Sequence, residues 1–389
     1  MSEKESKPAA VPGTSGKTAD GKTRSGRRRF LAASAATIGG AAAVGFPSIA
    51  RAQTVTLNFQ STWPSRDIFH EYAQDYVNKV NELAGGSLRL NLLAAGAVVG
   101  ALQMQDAVIA GALDGGHGVT AYWYGKHKAY SLFGTPPAFG WNANQMLGWI
   151  KYGGGQKLYD ELVQDVLKLN LVGFLTGPMP TQPLGWFKKP VESADDLKGL
   201  KYRTVGLSAD VMREFGAAVT IMGGGDIVPA MDRGLLDAAE FNNPSSDRTL
   251  GFPDVSKTLM LQSYHQSAEC FEIIFNRTKF NALAKEHQAI LRYAAEAASS
   301  DMSWKAMNRY PDDLEAMRKA GVKTYKTPDS VLQAQLAAWD KVIAELSKEP
   351  FFAKVIASQK KWTEKVVRFQ FENEVGQEMA YQHYFGKKG

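Results

Sequence analysis

Val55-Thr56-Leu57-Asn58-Phe59-Gln60 alternates apolar and polar side chains, the period of a strand with one face buried. Apolar residues then recur at helical spacing through Phe69, Tyr72, Ala73, Tyr76, Val77, Val80 and Leu83, until Gly85-Gly86 stops the helix. Ser87 to Leu93 alternates again as a second strand. Strand, helix and strand in this order are the unit of a mainly parallel sheet, which sets the class as α/β.

An internal echo extends the reading. Ala110-Gly111-Ala112-Leu113-Asp114-Gly115-Gly116 returns as Arg233-Gly234-Leu235-Leu236-Asp237-Ala238-Ala239. In each copy an amphipathic helix ends near a glycine and an Asp turn feeds a strand of small residues. Coincidence in a seven-residue window is one explanation; two α/β lobes of similar plan is the other. On the second, Gly118 to Tyr124 and Glu240 to Asn243 follow equivalent strands, where open α/β sheets bind ligands. The Pro-rich stretch Gly177-Pro178-Met179-Pro180-Thr181-Gln182-Pro183 is expected to be neither central strand nor helix, but the crossing between lobes. The apolar strand Phe271 to Phe275 is expected to cross back, ahead of a long helical tract from Leu283 to about Lys319. The division expected is a leader over 1–52, a first lobe over 53–176 and a second over 177–266. A crossover with the long helix over 267–310 and a helical C-terminal region over 311–389 complete it.

The leader rests on Arg27-Arg28-Arg29-Phe30-Leu31, an uncharged Ala/Gly-rich stretch from Ala32 to Gly45, and Ala50-Arg51-Ala52 before Gln53. Basic, weakly apolar and small-residue segments in that order predict a twin-arginine signal peptide, cleaved on export to the periplasm. The segment also explains the formal charge of +6. It holds nine basic and three acidic residues, so the 45 basic and 39 acidic residues of the whole reduce to 36 of each beyond it. A neutral exported protein gives no electrostatic reason to expect nucleic acid as a partner. The lone Cys270, within an apolar run, cannot form an intramolecular disulfide and is expected to be buried and inert.

Enzyme signatures are missing. Neither Gly153-Gly154-Gly155 nor Gly223-Gly224-Gly225 leads into Gly-Lys-Ser/Thr, and there is no H-E-x-x-H or G-x-S-x-G. Residues suited to a small anion are present. Arg203 lies on a strand, Lys201-Tyr202-Arg203-Thr204-Val205, where its guanidinium could pair with a carboxylate or simply face solvent. Glu240 follows a small-residue strand and is open to three roles: holding a cation, forming a structural ion pair or capping a helix. Tyr122-Trp123-Tyr124 suits either a cleft wall or a core.

Four stretches carry a family resemblance: Phe59 to Pro64, Gly115 to Gly125, Gly177 to Trp186 and Glu240 to Asp247. The chain resembles the DctP-type extracytoplasmic solute receptors of TRAP transporters, within the subgroup that binds 2-oxo acids and related monocarboxylates. The resemblance covers nearly everything beyond the leader. It implies a non-catalytic receptor of two-lobed periplasmic binding protein fold, with strands and a long helix spanning both lobes. It implies Arg203 as carboxylate anchor, and a cation bridging substrate and protein through Gln182, Glu240 and the Phe241 carbonyl. Gln266 or Glu269 is a possible further ligand. Tyr122, Trp123 and Asn242 are second-rank contacts to the substrate. An all-oxygen donor set suits Na⁺ or Ca²⁺ rather than zinc. The implied partners are a small monocarboxylate (pyruvate or a longer 2-oxo acid, with lactate or another 2-hydroxy acid as the alternative), a membrane permease and a second copy of the chain. Of other classes, a periplasmic oxo-acid enzyme and a sensory co-receptor stay open.

Overall fold

The computed structural model describes residues 53–386, so the leader expected over 1–52 lies outside the described residues. Within them two mixed sheets form. The first has the strand order β2-β1-β3-β10-β4 and the second β11-β9-β5-β8-β6-β7, in which β7 is Ala218–Thr220 and β11 is Lys323–Lys326, a strand inside the C-terminal region expected to be helical. The opening unit is as the alternation predicts: β1 (Val55–Ser61) and β2 (Leu88–Leu93) run parallel, joined by the helix Ile68–Leu83. Both sheets are nevertheless less parallel than that unit suggests, because one strand of each enters antiparallel to its neighbours. In the first sheet β10 (Glu269–Asn276) pairs antiparallel with β3 (Gly115–Gly118) and with β4 (Leu171–Met179). In the second, β5 (Gly185–Phe187) pairs antiparallel with β8 (Ala238–Ala239) and β9 (Thr258–Leu261).

The echo is a structural equivalence. Gly111 and Gly234 both take the left-handed conformation that ends a helix, with φ of +80° and +71°. The strand that follows runs parallel to an earlier one, β3 to β1 and β8 to β6 (Lys201–Arg203). Asp114 stitches its turn to Asn58, accepting the Asn58 N–H and donating its own to the Asn58 carbonyl. Asp237 does the same with Lys201, at 3.1 and 2.8 Å. A lysine from beyond each antiparallel strand, Lys279 or Lys188, closes an ion pair on the aspartate.

The Pro-rich stretch corrects the expectation in part. Strand β4 runs on to Met179 through Gly177 and Pro178, because it lies at the sheet edge, where a missing N–H breaks no ladder. From Pro180 the chain is irregular and leads to β5 of the second sheet. The long helix Lys285–Lys319 has 35 residues, so it reaches about 50 Å. Its first half covers the first sheet, where Thr176 donates to the Ala295 carbonyl and Tyr76 to that of Leu291. Its far end meets the helix Pro244–Leu250 beside the second sheet, through Arg248 and Asp313 at 2.6 Å.

Phe59, Tyr76, Val80, Leu90, Phe275 and Leu291 form the core between the first sheet and its helices. Leu184, Phe187, Tyr202, Met212, Met260 and Val331 do so for the second. Cys270 is buried on β10, as expected. Among the described residues no helix is long and apolar enough to cross a membrane.

Candidate functional site

Both halves of the echo end at one place. The segment after β3 delivers Val119 and Tyr122, and the segment after β8 delivers Phe241 and Asn242. These four, with Trp63, Phe69, Arg203, Val205, Gln266 and Glu269, enclose a cavity of about 10 Å³ in water-centre volume, room for about one water.

Arg203 stands at the end of β6 and is 1 % exposed. Four of its five N–H groups are engaged. Nε and Nη2 both donate to the Met222 carbonyl, at 3.1 and 2.8 Å. Nη1 donates to the Glu240 carbonyl at 2.8 Å and to Glu240 Oε1 at 3.1 Å. Of the three roles left open for Glu240, the fold therefore realises a buried ion pair. The Phe241 ring lies 5.7 Å from the guanidinium carbon. Glu240 reaches this point because β5 passes close behind it. Gly185 there has φ +131°, and a Cβ would stand 2.5 Å from the Ala239 carbonyl oxygen, so only glycine fits.

A second acid, Glu269, begins β10. Its Oε2 accepts from Gln182 Nε2 at 2.9 Å and from Asn242 Nδ2. Gln182 is held by its own backbone N–H, which donates to the Gln266 carbonyl at 3.1 Å. Burial pushes the Glu269 carboxyl up to about 8, with the neighbouring Glu240 charge adding to the rise and these amides only partly opposing it; burial raises the Glu240 carboxyl as well, against the pull of Arg203. Three oxygens buried at this site have no protein partner: Gln182 Oε1, Glu240 Oε2 and Gln266 Oε1. Unpartnered buried acceptors are costly, and two carboxylates with two amides supply the all-oxygen donors that a hard cation takes. The residues present therefore fit such an ion. Among the described residues no group of three or more His, Cys, Asp or Glu is gathered closely enough to hold a metal ion.

Most of the residues singled out from sequence thus converge: Arg203, Glu240, Phe241, Asn242, Gln182, Gln266, Glu269 and Tyr122. Trp123 does not join them. Its indole N–H points the other way and donates to Glu272, a buried acid that also accepts from Tyr159 at 2.7 Å. The apolar wall of Trp63, Phe69, Val119 and Val205 carried no chemical signal of its own. Of these, Trp63 and Val119 stood in stretches quoted for the resemblance, and Phe69 and Val205 did not.

Residues 59–350 match the family model described as DctP, bacterial extracellular solute-binding protein, family 7. The monocarboxylate 2-oxoacid-binding periplasmic protein of Nostoc sp. is 31 % identical over 327 residues, which cover 82 % of this chain and 86 % of that one. A TRAP transporter solute-binding protein from Bordetella bronchiseptica superposes with a TM-score of 0.80 at 28 % identity, over 85 % of this chain and 97 % of its own. It is a mixed-occupancy dimer with copurified calcium and picolinate in its active site. A TRAP periplasmic solute-binding protein from Pseudoalteromonas atlantica, with bound sodium and pyruvate, gives 0.78 at 28 % identity, over 86 % of this chain and all of its own. Fold, family match and relatives agree: the chain belongs to the DctP family of bacterial extracellular solute-binding proteins, two-lobed receptors rather than enzymes.

Proposed function

We propose that this chain is the periplasmic receptor of a TRAP transporter, capturing a small 2-oxo monocarboxylate such as pyruvate together with Na⁺ or Ca²⁺ and delivering it to the membrane permease. The observation that carries the reading is the joining of Arg203, Glu240, Gln182 and Glu269 around one buried cavity with three unpartnered oxygens. The relatives that bind pyruvate or 2-oxo acids support the ligand class.

Arg203 is the substrate anchor. Its guanidinium exchanges the Glu240 carboxylate for that of the ligand, a charged pair of the same geometry. Glu240, Gln182 Oε1 and the Phe241 carbonyl, with Glu269 as the further ligand, hold the cation. A bound cation supplies positive charge that lets two carboxylates and an anionic ligand share the site. Tyr122 and Asn242 line the ligand's flank, and Trp123 supports Tyr122 from behind. Since the cavity admits about one water and its wall comes from both lobes, capture requires those lobes to part and close. We assign 53–179 and 180–266 as the two lobes, 267–310 as the return crossing and 311–389 as the C-terminal region, whose strand Lys323–Lys326 joins the second sheet. Residues 1–52 are assigned as a twin-arginine leader, removed before Gln53, and the exported chain as a homodimer. A 2-hydroxy acid such as lactate is the alternative ligand.

Isothermal titration of chelator-treated protein with pyruvate tests the reading. In sodium-free buffer, binding is expected only after Ca²⁺ or Na⁺ is restored; equal affinity with both ions absent rejects the bridging cation, and no binding in any salt rejects the ligand class.

A further inference from the structure

The binding cavity is wired to a lobe–lobe contact by an unbroken run of buried side chains. Glu269 Oε2 accepts from Asn242 Nδ2. Asn242 Oδ1 accepts from Asn243 Nδ2 at 3.0 Å, and the same amide donates to Ser246 Oγ at 3.1 Å. Ser246 Oγ donates to Asp67 Oδ1 at 2.6 Å. All five residues are at most 4 % exposed. Glu269 lies on the first sheet, whereas Asn242, Asn243 and Ser246 follow β8 of the second. Asp67 returns to the first lobe, where it caps the helix Ile68–Leu83 through the Phe69 N–H at 3.1 Å. The run therefore bridges the lobes at both of its ends.

Its direction is fixed by proton counting. Asn243 Oδ1 is committed to the backbone N–H groups of Ser245 and Ser246, both at 3.0 Å, as the cap of the helix Pro244–Leu250. Its Nδ2 must then donate, so Ser246 Oγ is an acceptor from that side. The single hydroxyl proton of Ser246 is left for Asp67. Asn242 must likewise accept through Oδ1, which turns its Nδ2 toward Glu269. Reversing any one member leaves a donor facing a donor. Two contacts flank the clasp across the same seam: Arg66 Nη2 to the Leu250 carbonyl at 3.1 Å, and the rings of Phe69 and Phe241 at 5.7 Å.

We propose that Asp67 and Ser246 form a closure clasp. They are positioning residues that never touch the ligand, yet hold Asn242 in the orientation that orders Glu269 and keep the lobes shut on bound carboxylate. The inference rests on the site proposed above. Opening the lobes separates Asp67 from Ser246 and frees Asn243 and Asn242 to turn, so retention of ligand and the state of the clasp are one equilibrium.

The test follows release of pyruvate from the calcium-loaded protein by stopped-flow tryptophan fluorescence. Ser246→Ala and Asp67→Ala are expected to speed release about tenfold, the loss of one buried hydrogen bond, with association changed less than about twofold. Asp67→Asn keeps an acceptor oxygen and a helix cap and is expected to stay near wild type, which a loss of packing alone would not produce. Ser246→Ala added to Asn242→Ala is expected to cost no more than Asn242→Ala by itself. Unchanged release in Ser246→Ala and Asp67→Ala, with Arg203→Met abolishing binding, overturns the clasp and spares the site. If the wild type binds no pyruvate, the site reading fails and the clasp is still decided by small-angle scattering of the purified protein. Ser246→Ala and Asp67→Ala should raise the radius of gyration above that of wild type and Asp67→Asn, and equal radii overturn it.

Discussion

Arg203 and Glu240 are each other's partners in the fold and, on our reading, separate partners in the loaded receptor. Burying an ion pair costs desolvation that the Coulomb attraction only roughly offsets, so exchanging one carboxylate for another at the same guanidinium costs little. Removing the guanidinium is different. Arg203→Met should abolish pyruvate binding in calorimetry, and it should destabilise the fold by less than the ~3–5 kcal/mol of an orphaned buried charge. The reason is that burial already raises the Glu240 carboxyl, which can take a proton instead. A variant that binds pyruvate with wild-type affinity would remove Arg203 from the site. Glu240→Gln keeps the shape and loses the charge, so binding should weaken at least tenfold at limiting calcium and recover partly in excess. Indifference to calcium in that variant would reassign Glu240 to a purely structural ion pair.

Strand β10 carries two of the acids that set the pH response. Burial pushes Glu269 to about 8 and Glu272 to about 7 from an ordinary 4.5, and it pushes Asp67 and Asp247 to about 7 from 3.8. A carboxyl raised in the folded state keeps its proton where the unfolded chain has lost it. The stability it allows is therefore complete below about pH 4 and declines as pH climbs to 7 or 8. Cation-free protein should have its highest melting temperature near pH 5 and lose several degrees by pH 8, and Glu272→Gln should flatten that slope. A melting temperature that rises over the same range would contradict the directions assigned to these groups. Such coupling was not legible beforehand. The alternation of residues 55–60 and the glycine-ended echo gave the elements and the lobes, because period and turn chemistry are local. That Glu272 would turn Trp123 away from the cavity, or that Glu240 would find Arg203, depends on contacts between distant strands. Sequence pattern located Arg203 and Glu240 at strand ends without showing where they point. Gln182, Phe241 and the undecided pair Gln266 and Glu269 came from resemblance alone, since no spacing rule distinguishes a ligating amide or carbonyl from an ordinary one.

At the scale of the whole molecule the C-terminal segment stands apart from the lobes. The helix Pro350–Asn373 packs on the body through Phe351, Phe352, Val355 and Ile356. It ends short of Gly376, where the apolar pattern of residues 366–385 breaks, and the helix Gln377–Phe385 that follows buries no residue at all. Phe369, Phe371, Val375, Met379, Tyr381, Tyr384 and Phe385 are each at least 60 % exposed. A nine-residue helix that buries none of its residues is marginal in water, and this many large apolar side chains on one short arm exceed ordinary surface scatter. A second copy of the chain is the partner we propose for it, in keeping with the dimeric Bordetella bronchiseptica relative. Each aromatic covered there would contribute about 1.5–3 kcal/mol, so a few suffice for micromolar association. Light scattering of the purified protein should give the mass of two chains at tens of micromolar. Tyr384→Lys with Phe385→Lys should halve that mass while leaving pyruvate affinity within about twofold, because the arm shares no residue with the cavity. A wild-type mass of one chain would refute the assembly, and a charged variant that stays dimeric would move the interface elsewhere on the molecule.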